Sequence, residues 1–137
     1  ARDQGVPTVA YDGASYLVAW EDTRDRPSFG ADVYATRVTT AGAVVTPAGT
    51  PVSTAATGAG VYSSEPAVGA GGGTFLLTWE DLRDWDDAYA TRVSPAGAVL
   101  DPQGLRLSSQ LPSTPQSEPV VAFDGSLLVM KKPRNHE

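Results

Sequence analysis

The chain has 137 residues, the size of one ordinary domain, and 41% of them are hydrophobic, which is enough to build a core. Its 14 Gly and 11 Pro are scattered along the whole length, which excludes a helical bundle or coiled coil and favours short strands joined by turns. The formal net charge of −6 has the wrong sign for contacts to phosphates, and no apolar run approaches the roughly 18 residues of a membrane span, so we expect neither nucleic-acid binding nor membrane insertion.

The sequence contains an internal repeat. The segment VPTVAYDGASYLVAWEDTRD from Val6 recurs as EPAVGAGGGTFLLTWEDLRD from Glu65 and, shortened, as EPVVAFDGSLLVM from Glu118. Downstream, DVYATRVTTAGAVVTP from Asp32 matches DAYATRVSPAGAVLDP from Asp87. We therefore divide the chain into repeat 1 (1–59), repeat 2 (60–112), a partial repeat 3 (113–130) and a divergent tail (131–137).

Each full repeat is predicted to form four short strands. In repeat 1 the first strand ends at Asp12-Gly13, a pair suited to a tight hairpin because both residues tolerate positive φ. The fourth is an irregular edge strand, because Pro47 cannot donate to a β-ladder. With two strands from repeat 3 the chain has about ten, and the predicted ranges in the full repeats are 8–11, 16–20, 33–38, 43–52, 67–70, 75–79, 88–93 and 98–107.

A helix is the competing prediction for one stretch. From Thr74 to Ser94 there is no Gly or Pro, and the apolar residues fall at spacings of three and four. The matching stretch of repeat 1 contains Pro27 and Gly30, which a helix interior does not tolerate. Since two copies of one repeat share one fold, we favour strands.

Four-stranded repeats of about 50 to 60 residues with an aromatic motif in each are typical of β-propeller blades. A β-sandwich is the alternative, although it needs no repeat. The pattern PxVAYDG, YLVxWED and DxYAxRV resembles repeats of large secreted or surface proteins of bacteria that are usually interpreted as propellers. The resemblance implies an all-β, propeller-like fold of about two and a half blades and a secreted or cell-surface location, and it carries no defined activity.

The third repeat departs from the pattern at its end. After LLV it continues as MKKPRNHE, so the WED motif is lost. Closed propellers have at least about four blades. We therefore expect either a homo-oligomer that completes a ring or the remainder of a longer propeller chain.

The WEDxRD cluster occurs once in each full repeat. A motif in every blade is expected to build blades, with Trp between blades and with Asp and Arg joining the exit of the second strand to neighbouring backbone or to Arg37 and Arg92. The alternative is a repeated lectin-like site, in which Trp stacks on a sugar. The cluster comprises Trp20, Glu21, Asp22, Arg24 and Asp25, and again Trp79, Glu80, Asp81, Arg83 and Asp84. The residues assigned the structural role are Trp20, Asp22, Arg24, Arg37, Trp79, Asp81, Arg83 and Arg92.

The loop after the second strand carries the candidate binding residues. Trp85 is an unrepeated aromatic residue, so it is the best single candidate for a ligand contact. The predicted ligand-binding set is Trp85, Asp84, Asp86, Phe29 and Arg26. Oxygen-rich loops attract calcium, and Asp84, Asp86 and Asp87 are its candidate ligands, although the full EF-hand series is missing. No other cofactor is expected.

These features favour a noncatalytic module that binds a glycan or a protein surface outside the cytoplasm, with avidity from repeated weak sites. One alternative is a scaffold without a small ligand. Another is part of a glycosidase-like hydrolase with Glu21 and Glu80 as its carboxylates, although their repetition favours a structural role. The chain has no cysteine and one histidine, His136, which argues against thiol catalysis, multi-histidine metal sites and a Ser-His-Asp triad.

Overall fold

The computed structural model describes residues 3–25, 30–53, 63–84, 87–108, 116–125 and 127–133, with the backbone alone for residues 84, 116–118 and 127–133. In this part of the chain the fold is all-β, with ten strands and one short 3₁₀ turn, Leu82–Asp84, so the strands predicted in place of a helix are confirmed. The strands are β1 Gln4–Tyr11, β2 Ser15–Asp22, β3 Asp32–Thr39, β4 Thr50–Pro51, β5 Ser63–Gly71, β6 Thr74–Asp81, β7 Asp87–Val93, β8 Leu105–Arg106, β9 Gln116–Phe123 and β10 Leu127–Pro133.

The strands form three antiparallel sheets. Sheet 1 has the order β1-β2-β3-β4, sheet 2 has the order β5-β6-β7-β8, and sheet 3 consists of β9 and β10. The predicted four-stranded antiparallel units are thus confirmed. Strand β10 continues to Pro133, three residues beyond the predicted end of repeat 3. None of the described residues belongs to a helix long and apolar enough to cross a membrane.

The fourth strand of sheets 1 and 2 is shorter than predicted. Strands β4 and β8 have two residues each, and the segment before each of them contributes one isolated bridge, Val38 to Val44 and Val93 to Val99. The reason is the intervening turn, in which Gly49 has a φ of +75° that a regular strand does not allow.

The first strand of each sheet is longer than predicted because it continues through a β-bulge. The register of β1 shifts between Gly5 and Thr8, and that of β5 shifts between Ser64 and Ala67. Each bulge places a proline where no ladder hydrogen bond is needed. The residue before that proline has positive φ, 47° at Val6 and 51° at Glu65.

Sheets 1 and 2 stack face to face. Successive residues of a strand point to opposite faces, so each sheet has two faces. We call the face of sheet 1 that meets sheet 2 its trailing face, and its core residues are Leu17, Ala19, Val33 and Ala35. The opposing leading face of sheet 2 contributes the core residues Val68, Phe75, Leu77, Trp79, Tyr89 and Val93.

The same arrangement joins sheet 2 to sheet 3. On the trailing face of sheet 2, a Cβ at Gly69 would overlap Cγ1 of Val121, and one at Gly71 would overlap the Phe123 ring. Val121 and Phe123 of β9 align with leading-face residues of the other sheets. Glycine at these two positions therefore allows β9 to approach β5 closely.

We predict that Gly69→Ala lowers the free energy of unfolding by about 1–3 kcal/mol, because Val121 must move to admit the methyl group. Gly5→Ala is the matched control, since a Cβ there has no neighbour within 4 Å, and it should be neutral or stabilise by up to about 1 kcal/mol. Urea unfolding of both variants gives the comparison. Equal effects at the two positions would contradict the close contact between β5 and β9.

Candidate functional site

The described ends of the loops that follow the second strands lie at one rim of the stacked sheets. The β2–β3 loop ends at Ala31, whose carbonyl oxygen accepts a hydrogen bond from the main-chain N–H of Ser63 at 2.9 Å. Ser63 is paired with Asp81, after which the β6–β7 connection begins. The described end of the β2–β3 loop, Ala31, therefore lies close to Asp81, the last residue of β6.

In repeat 1 the WEDxRD residues form a hydrogen-bonded cluster around one buried carboxylate. Asp22 accepts hydrogen bonds from Nε1 of Trp20 at 3.0 Å and from the main-chain N–H of Arg24 at 2.9 Å. The Arg24 guanidinium forms an ion pair with the same carboxylate and donates to the carbonyl oxygen of Ala48 at 2.6 Å. The cluster thus joins the exit of β2 to the turn before β4.

Repeat 2 has the same cluster. Asp81 accepts from Nε1 of Trp79 and from the main-chain N–H of Arg83, each at 3.0 Å. The Arg83 guanidinium pairs with Asp81 and donates to the carbonyl oxygen of Gln103 at 2.9 Å. Because the contacts recur with equivalent atoms, the motif acts in both copies as a structural joint.

In each repeat a tyrosine and a glycine also belong to the cluster, and neither was singled out from the sequence. The guanidinium of Arg24 lies 4.4 Å from the ring centroid of Tyr34, and that of Arg83 lies 4.1 Å from the Tyr89 ring. Gly49 and Gly104 belong to the turns that receive the tryptophan rings, and a Cβ at Gly49 would come within 2.7 Å of Trp20. The sequence feature that could have indicated these residues is the recurrence of Tyr and Gly at equivalent positions of both repeats.

The cluster shifts the ionisation of its members. The hydrogen bond from Arg24 is the largest cause that holds the pKa of Asp22 well below its ordinary value of 3.8. Burial, followed by the hydrogen bond that Tyr34 donates to Asp25, raises the pKa of the Tyr34 phenol to about 12. Near neutral pH the cluster therefore contains a carboxylate, a guanidinium and a neutral phenol.

Arg37 and Arg92 lie outside this cluster. Arg37 donates to Oγ of Ser15 at 3.2 Å, and its side chain lies against Gly97 of sheet 2. Arg92 forms an ion pair with Asp101 at 2.9 Å. The sequence predicted that the motif joins the exit of the second strand either to neighbouring backbone or to Arg37 and Arg92. The described contacts of Arg24 and Arg83 are with neighbouring backbone.

The glutamates of the motif point away from the cluster. Oε1 of Glu21 accepts a hydrogen bond from the main-chain N–H of Glu65 at 2.7 Å. Glu65 is the bulge residue of β5, so this bond links sheet 1 to sheet 2. Glu80, the equivalent of Glu21 in repeat 2, is buried.

Most of the predicted ligand residues lie outside the described residues. These are Trp85, Asp86, Phe29 and Arg26, while Asp84 is described by its backbone alone, at the end of the 3₁₀ turn. Asp87 is the first residue of β7, and its buried carboxylate accepts from Oγ of Ser108 at 3.0 Å and pairs with Arg106. Within the described part of the chain no three His, Asp or Glu side chains are grouped to hold a metal, and calcium at 84–87 stays a prediction.

Comparison with known proteins adds no further constraint. No protein-family model, curated protein or solved structure matches this chain. Its function is therefore inferred from geometry, chemistry and the resemblance of its repeat pattern.

We predict that Asp22→Asn lowers the free energy of unfolding by about 1–3 kcal/mol at neutral pH, because the buried carboxylate loses its charge and Arg24 loses its partner. The folded pKa is depressed, so this contribution is fully present above the unfolded pKa of about 4 and is lost as pH falls below it. Urea unfolding from pH 7 to pH 2 should show the native chain and the variant converging in acid. A gap independent of pH would contradict the role of the charge.

Proposed function

We propose that this protein is a noncatalytic, lectin-like binding module, in which the sheets stack as blades of a β-propeller and the rim loops bind a glycan. A protein surface is the alternative ligand for the same rim. The resemblance to repeats of secreted and surface proteins supports a location outside the cytoplasm, where such ligands occur.

The order of stacking supports the propeller arrangement. Strand β5 packs against β1, β2 and β3 of the preceding sheet, and β9 packs against β5, β6 and β7. Each sheet therefore presents its leading face to the trailing face of the one before. This repeated orientation, with first strands adjacent, is the relation that blades have in a ring.

The observation that carries the binding proposal is the shared rim of the two loops. The hydrogen bond between Ala31 and Ser63 places the β2–β3 loop beside the start of sheet 2, where the β6–β7 connection begins. Phe29 and Trp85 belong to these two loops by sequence. Aromatic residues on adjacent loops suit a sugar, because a pyranose presents an apolar face for stacking and hydroxyl groups for carboxylates and arginine.

The two motif glutamates and Trp79 support a noncatalytic role. Oε1 of Glu21 is bonded to the main chain of the neighbouring sheet, and Glu80 is buried, which favours a structural role for both over that of a carboxylate pair at a glycosidic bond. Trp79 is fully buried in the core, so it has no free face for a sugar. Ligand contact is therefore assigned to the loop residues.

We predict that the chain binds a subset of sugars on a glycan array and that Trp85→Ala weakens this binding at least about tenfold, as loss of one aromatic stacking contact implies. Leu82→Ala is the matched control, because Leu82 is an exposed apolar residue of the same loop, and its affinity should stay within about twofold of native. Calorimetry measures both affinities, and circular dichroism verifies that both variants are folded. No saturable binding of any sugar at millimolar concentration would contradict the lectin proposal and leave the scaffold alternative.

A further inference from the structure

The leading face of sheet 1 has no neighbouring sheet among the described residues. Val9 is 58% exposed and Tyr16 is 39% exposed. The equivalent residues of sheet 2, Val68 and Phe75, are 9% and 0% exposed because sheet 1 covers them. The same surface is therefore a buried interface in one repeat and an exposed apolar surface in the other.

At its bulge, the exposed leading face of sheet 1 also has the backbone conformation that contacts a neighbouring sheet in sheet 2. A groove of about 220 Å³ lies beside Trp20 and is lined by Gln4, Gly5, Pro7 and Val18. It adjoins Val6, which has nearly the same positive φ as its equivalent Glu65, 47° against 51°. In sheet 2 the main-chain N–H of that bulge residue donates to Glu21 of the covering sheet.

The complementary face is exposed at the other end of the chain. In β9, Val120 is 47% exposed and Ala122 is also exposed. By sequence they align with Thr8 and Ala10, which share the trailing face of sheet 1 with Leu17 and Ala19. Sheet 1 therefore presents the leading surface that sheet 2 buries, and β9 presents the first-strand part of the trailing surface that sheet 1 buries.

We propose that the leading face of sheet 1 is a docking site for sheet 3 of a second copy of this chain, bound head to tail in the manner of sheet 1 on sheet 2. The contact is heterologous, since two different surfaces meet, so it builds a ring if the rotation closes and an open chain if it does not. This site is separate from the rim loops and does not depend on glycan binding.

One residue predicts that the contact is weak. Lys132 is paired with Ser117 just as Glu21 is paired with Gly5, so it occupies the position of the linking glutamate in sheet 3. Lysine cannot accept the hydrogen bond that a main-chain N–H donates at the bulge. A second copy therefore supplies the apolar contact without the glutamate bond.

Sedimentation velocity of the full chain tests the docking site. We expect the sedimentation coefficient of the native chain to rise with concentration, because oligomers form at protein concentrations below about 1 mM, which corresponds to a weak specific association. Tyr16→Lys should abolish the rise by placing a charge on the apolar face. Leu82→Lys, which makes the same charge change at a residue of matched exposure, 38%, should leave the rise intact.

A gain-of-association variant tests the register of the contact. Lys132→Glu should tighten self-association by about tenfold, equivalent to one charge-assisted hydrogen bond, although it makes the chain more acidic and so more self-repelling. Melting followed by circular dichroism checks that every variant is folded. A native chain that stays monomeric up to about 1 mM, an unchanged Tyr16→Lys variant, or a Lys132→Glu variant no tighter than native would each overturn the proposal.

Discussion

Each four-stranded sheet depends on a buried carboxylate at the end of its second strand, Asp22 in sheet 1 and Asp81 in sheet 2. Removing a carboxylate from water costs several kcal/mol, so it is tolerated only where its donors are in place. For Asp22 those donors are the Trp20 indole, the Gln4 amide, and the guanidinium and main chain of Arg24. Since Arg24 also binds Ala48, one charge fixes the positions of the strand, the loop and the turn before β4 relative to each other.

The residues around this carboxylate also determine how sheets meet. Glu21 directs its carboxylate to the next sheet because adjacent residues of a strand point to opposite faces, and there it binds the bulge N–H of Glu65. Small residues such as Ala19 and Gly69 let the sheets approach closely. The stacking then brings Ala31, at the end of the loop after β2, close to Asp81, at the end of β6, and the proposed ligand site rests on this geometry.

Most of the strand architecture could be predicted from the sequence, because both copies of the repeat must adopt the same fold. The comparison of Pro27 and Gly30 with the helix-like stretch of repeat 2 was enough to predict strands there. The bulge was not readable, since positive φ at a β-branched residue such as Val6 is a rare conformation that only tertiary contacts enforce. The burial of Asp87 was also missed, because its partner Arg106 is distant in sequence and meets it only across the sheet.

The central claim is that a glutamate of one sheet holds the bulge of the next, and amide hydrogen exchange at Glu65 measures this most directly. Glu65 lies at the register shift, outside the regular β5–β6 pairs, so its protection depends on Glu21. We predict slow exchange at Glu65 in the native chain and much faster exchange in Glu21→Ala, with the amide of Leu77 in β6 unchanged. Fast exchange at Glu65 in the native chain would contradict the link between the sheets.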